Sequence, residues 1–293
     1  MKRRILMLPV IPMMVLGLML INLFQASGVE AASPGQHVLG TVQHHVNAPA
    51  TNLIYHGGPV MAGTSKDFAI FWEPTGSYVS PTYNSLIKRY FGDVGGSGLY
   101  HNNTQYTNGS GKAPTSSKLG GSWVDTSAYP SSTLSDAQIQ QEATKAIKAN
   151  GWKATIHNNF FVFTAKNERI CVSFGCSFSS WCAYHGAFGN TIYDTMPYVG
   201  TSLGTCWTGG QSPNGDVDAD AEINVTSHEQ IEAATDPHLN AWYDASGQEI
   251  GDKCAWTFGH VNPDGSNVLW NGHEYIVQQE WDNHVSGCVL TGP

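Results

Sequence analysis

All six cysteines lie in the second half of the chain, at Cys171, Cys176, Cys182, Cys206, Cys254 and Cys288. An even number of cysteines in an exported protein reads as a disulfide framework, so the second half must fold with covalent staples. Cys171, Cys176 and Cys182 are near enough in sequence for a local bridge; separations alone do not choose among the pairings. No paired C-x-x-C occurs, which argues against a cysteine zinc site.

The oxidising compartment follows from the start of the chain. Lys2, Arg3 and Arg4 precede an apolar run over 5–24, and Val29-Glu30-Ala31 offers small residues for cleavage. Residues 1–31 therefore read as a signal peptide, with an uncleaved anchor as the alternative. Its removal leaves 11 basic and 22 acidic residues, a balance that disfavours nucleic acid and anionic lipid as partners. Residues 32–52, with His37, His44 and His45, read as a linker or short pro-segment. Residues 53–293 form the expected single domain. Charged residues are only 13%, which suits a loop-rich extracellular protein.

Local patterning predicts strands at 68–72 (FAIFW) and 160–164 (FFVFT). Ser135 and Gln138 form a capping box for a helix over 135–150, with Ile139, Ala143 and Ile147 facing a core and Gly151 ending it. Ser80-Pro81 opens a helix that runs to about Phe91. The Gly-, Ser- and Asn-rich 94–126 reads as a long surface loop that could line a groove. Asp216, Asp218 and Asp220 alternate like a calcium loop but lack its glycine and distal glutamate, so a polar-edged strand ranks above a weak Ca2+ site. His273-Glu274 alternates like a strand. Together these predict an α+β fold: one domain, a twisted mixed sheet with a zincin-like HExxE helix beneath it, and a disulfide-containing C-terminal half.

The chemistry concentrates in HEQIE, with His228, Glu229 and Glu232. Residues at i and i+4 share a helix face, so His228 and Glu232 can present two ligands to zinc, with Glu229 as general base. The segment 221–225 before it reads as a short strand, Thr226 or Ser227 as the cap, and Asp236-Pro237 as the stop. Ile231 and Ala234 would bury one side and leave the other for an ion. Thr226-x-x-Glu229 is equally a capping box, and His228 with Glu232 an ordinary exposed pair. For the third ligand Asp252 ranks first and Glu249 second. His238, ten residues past His228, follows Pro237, and Asp236 is better a cap. His185, beside Cys182, is more simply structural.

YHGGPVM near the start, CAYH at 182–185, SPNGDVDAD at 212–220 and the segment SHEQIEAATDPHLNAWYDASGQEIGDKC resemble the phosphate-induced protein, or EXORDIUM, family, as does the terminal NGHEYIVQQEWDNHVSGCVLTGP. The resemblance covers most of 53–293. It implies an exported protein of the cell wall or extracellular space, tied in plants to growth. Its pattern HE-x-x-E, then T-(N/D)-P, then E-I-x-D-x-C, places an apolar residue where this chain has His238, which favours Glu249 or Asp252. This chain is shorter after Cys254 than the plant members, so plant growth roles transfer poorly.

The leading expectation is a secreted, monomeric zinc hydrolase of peptidase type. His228, Glu232 and Asp252 hold zinc, and Glu229 takes the proton from an activated water. The substrate is a peptide, a protein or a cell-wall component. The competing expectation is a non-catalytic extracellular signalling protein with a structural metal, closed by Glu249 or His185 as a fourth ligand. A carbohydrate-binding module, suggested by 9 Trp and 12 Tyr, is a third.

Overall fold

In the computed structural model, residues 38–42 and 51–293 are described. The signal-peptide assignment lies outside them. Six strands make the central sheet: β1 (Val38–Gly40), β2 (Gly63–Trp72), β3 (Pro114–Asp125), β4 (Asn158–Thr164), β5 (Trp181–Phe188) and β6 (Thr191–Met196). Their spatial order is β1-β5-β6-β4-β2-β3. The four strands from β6 to β3 run parallel, and β5 and β1 are antiparallel to their neighbours. Thus part of the segment read as a linker is a strand, with Val38 opposite Tyr184.

Three helices cover the two sheet faces: α1 (Tyr83–Asp93), α2 (Asp136–Asn150) and α3 (Val217–Thr235). Side chains alternate along a strand, so each strand feeds both layers. Phe68, Ile70, Phe160 and Val162 pack with Ile139 and Ala143 of α2 on one face. Ala69, Phe71, Phe161 and Phe163 pack with Tyr83, Ile87 and Phe91 of α1 and Ala221 of α3 on the other. The capping box of Ser135 and Gln138 is present, and Gly151 closes α2 in the left-handed region at φ 65°. The N-cap of α1 is Thr82, two residues later than expected.

Two departures concern backbone state. The segment 94–126 is ordered: short helical turns over 94–105 lead into β3, a twelve-residue strand. Close packing requires glycine at Gly95, where a Cβ would lie 1.8 Å from the Ser117 carbonyl oxygen, and at Gly120, where it would lie 2.6 Å from the Phe68 ring. The segment 216–225 is not a strand but the beginning of α3, capped by Asp216, whose side chain accepts from Ala219 N–H at 3.2 Å. Asp218 accepts from Tyr198 Oη at 2.7 Å, and Asp220 from Asn214 Nδ2 at 2.7 Å. The alternating aspartates are thus spread around the first turns of a helix with different partners.

The disulfides are Cys171–Cys176, Cys182–Cys206 and Cys254–Cys288. The first is the local bridge; the other two fasten β5 and the segment after residue 249. Among the described residues no helix is long and apolar enough to cross a membrane.

Candidate metal centre

Every residue from Asp218 to Thr235 is buried. The expectation of a helix with one buried and one open side is therefore corrected: α3 is enclosed by α1, the sheet and the C-terminal segments. A helix this polar needs internal partners all round. Several of its polar groups have them. Gln230 Nε2 donates to Asp67 Oδ2 at 2.7 Å while its Oε1 accepts from Tyr90 Oη at 2.7 Å. Glu222 Oε2 accepts from Val199 N–H at 2.8 Å. Asp236 is the C-cap residue, its amide donating to the Glu232 carbonyl, and its Oδ1 holds the following turn by accepting from the amides of Asn240 and Ala241 at 2.6 and 2.7 Å.

Asn224, Thr226 and one oxygen of Glu222 lack partners, and the unpartnered titratable atoms gather on the face with His228, Glu229 and Glu232. Neither Glu229 oxygen, nor Glu232 Oε2, nor either ring nitrogen of His228 has a hydrogen-bond partner in the protein. His228 Nε2 stands 3.1 Å from Glu232 Oε1, a contact of charge without hydrogen-bond alignment. The capping-box alternative for Glu229 fails because the helix begins twelve residues earlier, at Val217.

Two further elements close on this face. The turn over 249–252 brings Asp252 Oδ1 to 3.9 Å from His228 Nε2, and the Asp252 amide donates to Glu232 Oε1 at 2.9 Å. Asp252 Oδ2 accepts from the Glu249 amide at 3.1 Å, which fixes the turn. From the sheet, β5 supplies His185, whose Nε2 lies 3.0 Å from Glu249 Oε2 and 3.9 Å from Glu232 Oε2. Alternation explains its aim: Tyr184 and Tyr193 face α2, so His185 and its cross-strand partner Asp194 face α3. His185, His228, Glu229, Glu232 and Glu249 are all 0% exposed.

The donor spacings suit a small divalent ion. Two ligands bound tetrahedrally at about 2.0–2.1 Å are about 3.3 Å apart, and the observed pairs at 3.0, 3.1 and 3.9 Å bracket that value. Among the described residues, two donor sets lie within 4.8 Å of one another: His228 with Glu229 and Glu232, and His185 with Glu232 and Glu249. His238 joins neither. Asp252 stands at the rim, with its side chain 15% exposed.

The electrostatics point the same way. Burial pushes the Glu229 carboxyl well above the carboxylate range, and the charges of Glu232, Asp194, Asp252 and Glu249 push it further. Burial, then Glu232 and Asp252, does the same to Glu280. Burial works against a charged His228, yet Glu232 and Asp252 outweigh it and raise its pKa. Lys253, the adjacent cation, is held by Asp244 at 3.0 Å and lies over the Trp281 ring. The cluster is thus a buried concentration of acidic groups that a cation would relieve.

His185 entered the sequence reading only as an alternative fourth ligand of the non-catalytic expectation, and the structure brings it against Glu249 and Glu232. Its signal was a polar side chain on an otherwise apolar strand, between Tyr184 and Gly186, a position where an unpartnered imidazole is costly.

Comparison with known proteins agrees with the family resemblance. The chain is 24% identical over 290 residues to Protein EXORDIUM-like 5 of Arabidopsis thaliana, spanning 83% of this chain and 78% of that protein. It is 25% identical over 295 residues to Protein EXORDIUM-like 3 of the same plant, spanning 83% and 85%. These names indicate no catalytic activity. No family model matches the chain, and no solved structure matches it significantly.

Proposed function

We propose that this chain is an exported EXORDIUM-like protein organised around a closed divalent-metal centre, zinc being the best fit, which ties α3 to β5 and to the turn over 249–252. The observation that carries the reading is the complete burial of His228, Glu229 and Glu232 together with donors from two other elements. Catalytic zinc keeps a ligand position open to substrate, whereas structural zinc is enclosed by protein. Imidazole donors favour zinc over calcium or magnesium. The similarity to EXORDIUM-like proteins and the three disulfides support action outside the cell.

The test is elemental analysis of protein purified without chelator, followed by melting with and without EDTA. An ion bound at one hundred times its Kd adds about 2.7 kcal/mol. For a domain of this size, that lowers Tm by about 5–11 °C on removal. No bound metal and an unchanged Tm would end the proposal.

The hydrolase reading keeps one observation in its favour. Glu229 carries a carboxylate without protein partners beside two metal donors, and Asp252 reaches partial exposure at the rim. If a peptide library is cleaved by the wild type and Glu229→Gln loses that cleavage while keeping its metal, the centre is catalytic and the closed-site assignment is wrong.

A further inference from the structure

Resting on the metal reading above, we infer that the centre takes two divalent cations, with Glu232 as a bridging carboxylate between two half-sites. The donors within 4.8 Å of one another fall into two sets joined by Glu232 alone. One is on α3: His228, Glu229 and Glu232. The other spans three elements: His185 from β5, Glu232 from α3 and Glu249 from the turn. Neither set contains both imidazoles.

The two oxygens of Glu232 divide between them. Oε1 faces His228 Nε2 at 3.1 Å, and Oε2 faces His185 Nε2 at 3.9 Å. A carboxylate whose oxygens address different imidazoles is arranged to bridge, and paired ions in proteins stand about 3.5–4 Å apart. Within the second set, His185 Nε2 and Glu249 Oε2 are hydrogen-bonded at 3.0 Å, a separation that an ion taking the place of the shared proton would need to change little. Glu232 Oε2 has no hydrogen-bond partner in the protein although the residue is 0% exposed.

Charge supports the count. Glu229, Glu232 and Glu249 are all fully buried, with Asp252 at the rim. Four carboxyl donors crowd two imidazoles in this enclosed volume, more anionic ligand than one dication pairs with, and unpaired buried charge is strongly disfavoured. Covalent bracing also serves the second half-site. Cys182 lies three residues before His185 and is bridged to Cys206; Cys254 lies five after Glu249 and is bridged to Cys288.

The experiment counts Zn2+ per chain, by elemental analysis and by calorimetric titration of the metal-stripped full chain. The wild type and His185→Gln, Glu249→Gln and His228→Gln are compared, with near-UV circular dichroism to check folding. Two equivalents are expected for the wild type and one for each variant. After His185→Gln or Glu249→Gln the remaining equivalent retains histidine-bound Co2+ absorption, because His228 is intact. One equivalent in the wild type that survives both His185→Gln and Glu249→Gln would overturn the second half-site and leave an ordinary buried His185–Glu249 ion pair, with the metal reading standing. One equivalent abolished by either histidine substitution would mean a single ion spanning both imidazoles, again against the inference. No metal at all refutes both readings. Should the variants fail to fold, anomalous scattering from wild-type crystals at the zinc edge decides between two peaks and one.

Discussion

Gly251 lies between Ile250 and Asp252 in the turn that closes the centre, and its missing side chain is what lets the turn approach α3. A Cβ there would stand 2.6 Å from His228 Nδ1, 2.8 Å from His228 Cε1 and 2.9 Å from Glu232 Oε1. The nearest contact is about 0.8 Å inside the 3.4 Å at which ordinary van der Waals contact begins. Neither side chain can swing away, because both residues are fully buried and Glu232 Oε1 also accepts from the Asp252 amide at 2.9 Å. Overpacking of this kind costs about 1–3 kcal/mol. Since the clash involves two side chains at once, Gly251→Ala should fall near the upper end, lowering Tm by about 5–10 °C. Misaligned donors should also weaken Zn2+ affinity by about 10–100-fold, the usual effect of disturbing groups that orient ligands. The assay is a thermal melt of the metal-stripped protein beside a zinc titration. Gly92→Ala serves as control, because a Cβ there meets nothing within 4 Å. Equal melting of Gly251→Ala and wild type, with unchanged zinc affinity, would refute both the packing argument and the ligand assignment.

Two further outcomes are expected. Closure entropy predicts that replacing both cysteines of the Cys254–Cys288 bridge by serine, with its separation of 34 residues, costs about 3.8 kcal/mol, against about 2 kcal/mol for Cys171–Cys176 with its separation of 5. Denaturant titration of the two double variants checks the order, and an equal or reversed ranking contradicts it. The second concerns pH. Burial holds the Glu222 carboxyl up to about 8 against an ordinary 4.5, so the folded state keeps a proton that the unfolded chain releases. Its stabilising effect is complete below about pH 4.5 and is lost as pH rises to about 8, a change on the order of 4 kcal/mol. Glu222→Gln should therefore flatten the decline in unfolding free energy between pH 5 and 8, and a slope equal to wild type would exclude Glu222 as its source.

The parts of the fold legible in the sequence are those where local and tertiary signals coincide. Helix α2 announces itself because Ser135, Gln138 and Gly151 act within one turn of its ends, and its apolar stripe has the helical period. Strands β2 and β4 are readable from FAIFW and FFVFT because a strand covered on both faces is apolar throughout. The start of α3 was not readable. Asp216, Asp218 and Asp220 alternate like a strand edge, yet each is stabilised by a distant or non-helical partner, among them Thr82, Tyr198 and Ser212. Partners that arrive from 8 to 134 residues away leave no local period. His228 and Glu232 were legible because a single helix turn brings them together. His185 was legible only as an alternative fourth ligand, because its place depends on the order of strands in the sheet.

That contrast bears on function. A motif reports which donors share a helix face, and HEQIE reports this correctly: Nε2 and Oε1 are 3.1 Å apart. Whether the face meets solvent is decided by what packs over it, here β5 and the turn over 249–252, braced by Cys182–Cys206 and Cys254–Cys288. Each brings a further imidazole or carboxylate, so closure adds candidate donors as it buries the face. Groups that would serve a substrate in an open cleft are turned by this packing towards one another, which is the arrangement that the proposed enclosed metal centre requires.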